Sequence, residues 1–487
     1  MVNVRNDGEV AYVLWLHEFS SYNRERHQCH GGSPRYPARQ LDVRHVDVAS
    51  KMADKGSMIW TSYKEKIKNL SDKIVEVQKP IHVLNSIKWD ASIEAQFFAA
   101  KGKELPKVDA AFYAKTPLGF DAEQKRQELK DLAEEIERQL GAQDDLGQLM
   151  LKMVNEYSDI THMLEGRGSK TFYDFSRKLY GSPKDKLFGG QVSISDQGHV
   201  LYQLLSGLEH KFLGRDYPKE ISSGDVVSEL NARFAKSFLQ GKIDVIISDG
   251  LVADAAAGSD KIKIKENAKF SRKDIDIFEV HEGWVHVGTT LNGKAQRIAK
   301  FLSKGPPRCA ATQEGLAILM EILTFSTYPL RARTINDRIL GIEKAEEGAD
   351  FLDLYEFYLV EGYTEIESYR NAMRVFRGGD VTGGAPFTKD ISYCKGFIEN
   401  YNFIRTAIRT GHPEIVPFIF AGKLHIDDVP LLYHKSLEGI INAPELLPPQ
   451  FQDLNGLAVW MSFSNFLNTV DMKLVTQHYD SLFQKYL

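Results

Sequence analysis

The chain has 487 residues, 43% of them hydrophobic and 26% charged, with a formal net charge of −5. These are ordinary globular values, with enough chain for a substantial core. No uncharged apolar run is long enough to span a membrane, and the acidic balance gives no general attraction to nucleic acid or other acidic partners.

Residues 1–51 show no sustained periodicity. They mix His17, His27, Cys29 and His30 with a Gly/Pro-rich stretch over 31–37, and these spacings match no zinc finger or knuckle. The segment reads as a poorly structured extension, with Met52 or Met58 as the real start. Its apolar run over 11–16 is short and flanked by charge, unlike a secretory signal. Cys29, Cys309 and Cys394 are odd in number and far apart, which suits reduced thiols in a cytoplasmic protein. Helical periodicity follows over 64–75, 121–140 and 144–164, and Arg167-Gly168-Ser169 closes the last of these.

The centre of the chain changes character. Residues 241–250 read as a strand ending in a turn, and 261–265 (Lys-Ile-Lys-Ile-Lys) alternate as an exposed edge strand should. Ser271 to Asp274 resembles a capping box, and Ile275, Phe278, Val280 and Val285 give the following helix an apolar side, with Gly288 expected to end it. On that helix lies His281-Glu282-Gly283-Trp284-Val285-His286. Neutral imidazoles are favoured zinc ligands, and a carboxylate beside the first can take a proton from an activated water. The histidines are five apart, however, which is about 140° around a regular helix and too divergent for one ion. One inserted residue, a π-bulge around Gly283 to Val285, would bring them onto one face. A third ligand is then required. Glu314, expected in the first turn of a helix over 312–327, is one candidate; Glu321, seven residues on, is the other, or else a partner for a histidine. Cys309 reads as a small buried residue.

Beyond Phe351 the pattern is mainly helical. Residues 354–376 form an amphipathic, tyrosine-rich helix ending at Arg374 and Arg377. Such arginines can compensate a helix dipole or fork onto a carboxylate. The glycine-rich loop over 380–390 is not a phosphate loop. From it, Lys389 can bind a carboxylate and Tyr393 can donate to a developing oxyanion. His425 and His434 read as satisfied or surface histidines.

Gln313-Glu314-Gly315-Leu316-Ala317, placed after His281-Glu282-x-x-x-His286, resembles the QEGLA-motif family. Its bacterial members are called flavohemoglobin expression-modulating QEGLA motif proteins, and its animal relatives are the microtubule-associated tyrosine carboxypeptidases. The resemblance runs from about Lys79 to the C-terminus and includes residues 374–380 and 388–390. It implies one zinc ion held by His281, His286 and Glu314, with Glu282 as catalytic base; in the animal relatives the reaction removes the C-terminal tyrosine of α-tubulin.

The resulting expectation is a zinc-dependent metallocarboxypeptidase that takes a peptide or protein C-terminus, with Arg374, Arg377 and Lys389 as substrate-binding residues and Glu282 and Tyr393 as catalytic ones. Hydrolysis of a non-peptide amide and a regulatory role around a structural zinc are the alternatives. The expected fold is α+β, predominantly helical and zincin-like, with a small sheet beside the metal-binding helix. It divides into the extension over 1–51, a helical part over 52–240, a metal-binding core over 241–345 and a helical part over 346–487 that completes the cleft. Oligomeric state stays open.

Overall fold

Short polar side chains open most of the helices, because they accept from N–H groups that a helix start leaves free. A computed structural model describes residues 46–206, 208, 217–249, 251, 253–467 and 470–486, with side chains over 61–484 of these. Nearly all of the expected extension lies outside the described residues. Helix α1 (Val46–Val77) takes in the stretch expected at 64–75. Asp121 accepts from Gln124 N–H ahead of α2 (Ala122–Leu140), and Asp144 from Gly147 N–H ahead of α3 (Asp145–Glu165). Both match the expected helices within a residue. Ser169 then caps α4 (Lys170–Tyr180).

The central part carries β1 (Ile221–Ser222), α5 (Ser223–Phe234), β2 (Asp244–Ser248), β3 (Ala255–Ala257), β4 (Lys261–Lys265) and β5 (Lys269–Phe270). β1 pairs antiparallel with β5. The other three strands form a sheet in the order β2-β4-β3, parallel between β2 and β4 and antiparallel between β3 and β4. The expected edge strand, 261–265, is therefore the centre of its sheet. Its alternation reports one buried face, with Ile262 and Ile264 wholly inside; a period of two says nothing about whether a strand's edges are paired. β3 is the edge nearest the histidine segment.

The chain continues into α6 (Arg272–Ile277), a π-helical segment (Phe278–Val287) and α7 (Gly288–Ala295). Ser271 and Asp274 form the expected capping box. Gly288 does not end the helix: its φ of −54° and ψ of −50° carry the backbone onward, and the change there is from π to α winding. The π segment lies between two cores. Val280 and Val285 belong to the large helical one, and Phe278 and Val287 to the one formed with α5 and the strands. The described residues are thus mostly helical with small sheets, an α+β protein, and no described helix is long and apolar enough to cross a membrane.

Next come α8 (Cys309–Leu323), α9 (Pro329–Glu346), α10 (Phe351–Val360), α11 (Glu365–Phe376) and α12 (Ser392–Arg409). The amphipathic helix expected over 354–376 is two helices. Gly362 breaks it with φ +88°, and a capping box between Thr364 and Glu367 starts the second. Helices α8 and α12 touch backbone to backbone. A Cβ on Gly315 would stand 1.9 Å from the Gly396 carbonyl carbon, and one on Gly396 would stand 1.7 Å from Ala311 O. Only glycine permits that approach, and it brings Gln313 and Glu314 beside the Lys389–Tyr393 region.

Candidate functional site

π-winding sets the site. Its i→i+5 hydrogen bonding places residues five apart nearly above one another, and the His281 and His286 rings lie with centroids 4.9 Å apart. The expected distortion is present and covers the whole of Phe278–Val287 rather than one bulge. Gly283, at its middle, has Phe234 against it: a Cβ there would stand 2.4 Å from the ring.

Glu314 reaches this pair from the second turn of α8, which begins at Cys309 and not at 312. Its Oε2 lies 3.7 Å from His281 Nε2 and 3.6 Å from His286 Nε2. Its Oε1 accepts from Lys389 Nζ at 2.8 Å. One ligand atom from each of His281, His286 and Glu314 falls within 4.8 Å of the others, and these three are the group among the described residues able to hold a metal ion. Donors about 2.0–2.1 Å from a tetrahedral zinc stand roughly 3.3–3.4 Å apart, so the two distances from Glu314 Oε2 need to shorten by only a few tenths of an ångström. Cys309 is buried and outside the set.

Glu321 is not one of them. It accepts from His281 Nδ1 at 2.7 Å and from Arg331 Nη2 at 3.0 Å, so it holds the imidazole from behind and leaves Nε2 facing Glu314. Burial raises the Glu321 carboxyl, but Arg331 and His281 pull it down to about 2. Burial opposes a charge on His281, yet Glu314, Glu321 and Glu282 raise it to about 10 in the metal-free chain. Glu314 stays well below the usual carboxylate range because Lys389 and the two histidines outweigh its burial. Glu282 is tied through Oε2, which accepts Ala257 N–H from β3 at 2.9 Å, and its other oxygen is not so held.

These groups line a cleft of about 670 Å³ that also takes in Trp89, Tyr180, Met373, Arg374, Arg377, Lys389, Tyr393 and Lys423. The two arginines have different surroundings. Arg374 Nε donates to Asp390 at 2.8 Å. Arg377, just past the end of α11, is buried over the Phe387 ring, and its Nε has no hydrogen-bond partner. Burial, reinforced by Arg374, lowers its pKa to about 10. Lys389 is occupied by Glu314. Tyr393 stacks under Arg338 at 5.2 Å and stands 6.5 Å from the His281 ring. His425 accepts Asp427 N–H and caps a short turn. Arg331, Arg338 and Lys423 were not singled out by sequence. None sits in a spacing that announces a site, and Lys423 is 137 residues from the carbonyl it bonds.

A family model described as microtubule-associated tyrosine carboxypeptidase matches residues 95–469, most of the chain. The chain belongs to that family. The match to the microtubule-associated tyrosine carboxypeptidases encloses both motifs, the β3 edge and every cationic residue of the cleft named above; Trp89 alone among the named cleft residues precedes it. A search of curated proteins found no relative that matches.

Proposed function

We propose that the chain is a zincin-like, zinc-dependent carboxypeptidase that releases the C-terminal residue of a peptide or protein. The observation that carries this is the combination, in one cleft, of His281, His286 and Glu314 with Glu282 beside them and a buried cation, Arg377, that lacks an ion-pair partner among the described residues. A buried guanidinium without an anion is costly. A carboxypeptidase must find the free chain end, and its carboxylate is the anion Arg377 would take.

Two imidazole nitrogens and one carboxylate oxygen, with no fourth protein ligand in the group, fit a zinc site that keeps a position open. Zinc there supplies Lewis acidity, which acidifies water and polarises a carbonyl. Glu282 acts as the base: with Oε2 held by Ala257, its other oxygen takes a proton from the attacking water and delivers it to the leaving nitrogen. Glu321 keeps the His281 ring oriented, and Lys389 holds Glu314. Tyr393, which lines the cleft, would supply its hydroxyl as a donor for the charge that develops on the carbonyl oxygen.

β3 offers the substrate a strand. Asp254 O accepts Lys265 N–H and Gly258 N–H donates to Lys261 O, so by alternation the backbone groups of Ala255 and Ala257 point away from β4; Ala257 N–H is taken by Glu282, which leaves Ala255 N–H and the two carbonyls for a substrate. An extended peptide can pair with that edge. Trp89, Tyr180 and Met373 give apolar surroundings for an aromatic terminal side chain, in keeping with the family's tyrosine.

Peptides with varied C-terminal residues, incubated with the zinc-loaded chain and followed by mass spectrometry, test this. Loss of single C-terminal residues is expected with the wild type and not with Glu282→Gln, which should still bind zinc. Loss of zinc in Glu282→Gln would make that residue a ligand and overturn its role. Arg377→Leu is expected to raise KM by about tenfold or more, since a charge-assisted bond to a carboxylate contributes about 1.5–3 kcal/mol; amidated peptides, which lack the carboxylate, should not distinguish it from wild type.

A further inference from the structure

Nearly half of the exposed large apolar side chains among the described residues lie in one stretch, between Val459 and Phe483. They belong to two helices, α13 (Leu454–Leu467) and α14 (Met472–Tyr486). α13 is apolar on both sides. Leu457 and Met461 are buried, on the side where Ser464 bonds Tyr401 of α12. Val459, Trp460, Phe463 and Leu467 form the other side and stay 45–60% exposed, Trp460 even though its ring meets that of Tyr401 edge-on. A helix that is hydrophobic all round belongs in an interior, so this second side calls for a cover.

α14 of the same chain does not supply it. Met472, Val475, Tyr479 and Leu482 recur at steps of three, four and three, the spacing of a helix seam, yet no described side chain of α14 is buried. The chain thus carries two apolar stripes on helices of nearly equal length, 14 and 15 residues, and neither covers the other. Charge is almost absent. α13 has none, and over 454–486 Asp471 and Asp480 are balanced by Lys473 and Lys485. Helices that lie on a membrane surface are rich in Lys and Arg on their polar side, which α14 is not, whereas two neutral faces meet without repulsion.

We infer that this face is an interface with a second copy of the chain, in which α14 of each copy lies along the outer side of α13 of the other. One two-fold axis then covers both stripes of both copies, the self-complementarity that a symmetric dimer requires. At roughly 100 Å² left exposed on each large apolar side chain, the stretch offers on the order of 1,000 Å² per copy, against the roughly 800 Å² per partner that a stable complex buries. The dimer is independent of the chemistry of the cleft, and α14 lies beyond the residues that the family match spans. It backs one wall of the cleft all the same, because α12 carries Tyr393 there at its start and meets α13 through Tyr401.

Sedimentation velocity on the full chain tests this. Wild type should sediment at twice the 55.1 kDa of one chain. The dimer should be populated at about 10 μM, since interfaces of this size bind at micromolar concentration or tighter. Phe463→Asp on α13 and Leu482→Lys on α14 should each raise the dimer Kd by about a hundredfold or more, because the two-fold axis puts the charge into the apolar interface twice. Both positions are exposed, and far-UV circular dichroism like that of wild type shows that each variant folds; dilution of wild type reads the same Kd with no substitution at all. A mixture of the two variants should recover dimer, since one of its two crossed contacts is wild type and the other sets an aspartate against a stripe that carries a lysine. A wild type that stays monomeric at about 100 μM overturns the interface, as does a dimer whose Kd neither substitution moves. Variants that dissociate singly and do not recover when mixed overturn the crossed arrangement. A monomer that binds phosphatidylcholine vesicles, and loses them with Phe463→Asp, would give the face to a lipid surface instead.

Discussion

Replacing Glu321 by glutamine isolates what that carboxylate does for His281. One of its oxygens meets both His281 Nδ1, at 2.7 Å, and Arg331 Nη2, at 3.0 Å, while the other lies 3.4 Å from Arg331 Nε, and the Glu321 side chain is wholly buried. An amide keeps the shape but not the charge: its oxygen, placed in the shared position, still accepts from both, and its NH2 group then faces Arg331 Nε. Removing one partner of a buried pair costs about 3–5 kcal/mol when nothing replaces it. Because the amide retains hydrogen bonds to both groups and loses only the charge, the expected loss in the stability of the metal-free chain is smaller, about 2 kcal/mol. Zinc affinity should fall about 10–100-fold because the acceptor behind the imidazole loses its charge and the ring becomes a weaker ligand. Competition with a chromophoric chelator measures the affinity, and urea unfolding of the metal-free form measures the stability. Adding Arg331→Gln removes the stranded cation, so stability should recover while zinc binding stays weak. An unchanged zinc Kd in Glu321→Gln would refute the orienting role, and loss of all measurable binding would make Glu321 a ligand.

Gly283→Ala should destabilise the chain by about 1–3 kcal/mol, the usual cost of overpacking, since its Cβ would stand 2.4 Å from a Phe234 ring that is itself buried. Phe234→Leu in the same chain should restore part of the loss; a Gly283→Ala protein that melts like wild type would show that the π segment tolerates displacement. Glu156, which accepts Arg308 N–H at the start of α8, is pushed up by burial from 4.5 to about 7. The folded chain therefore keeps a proton that the unfolded chain has released. Stability should fall as pH rises from about 4.5 to about 7, by at most on the order of 3 kcal/mol, and level off above. Denaturation at a series of pH values should show this slope in wild type and not in Glu156→Gln; equal slopes would refute the assignment.

Local physics was legible in the sequence. The helices over 121–140 and 144–164 were announced by their periodicity and the one after Ser271 by its capping box, because both are relations among neighbours in the chain. The five-residue spacing of His281 and His286 required a departure from α winding if both were to face one point, and the π segment is that departure. Gln313-Glu314-Gly315 pointed to the right helix, although the reason for its glycine, the contact with Gly396, is 81 residues away and invisible locally. Spacing alone left Glu314 and Glu321 as rivals; the resemblance favoured Glu314, and the tertiary structure gives the two different partners. Both are on α8, seven residues apart, and which one meets the imidazole Nε2 nitrogens and which meets Nδ1 depends on how α8 crosses the π segment. Only the fold decided that 261–265 is a central strand, that Arg374 has Asp390 while Arg377 has no such partner, and that Lys423 enters the site. Pattern along a chain reports which face of an element is buried; what that face meets is fixed by packing between elements far apart in sequence.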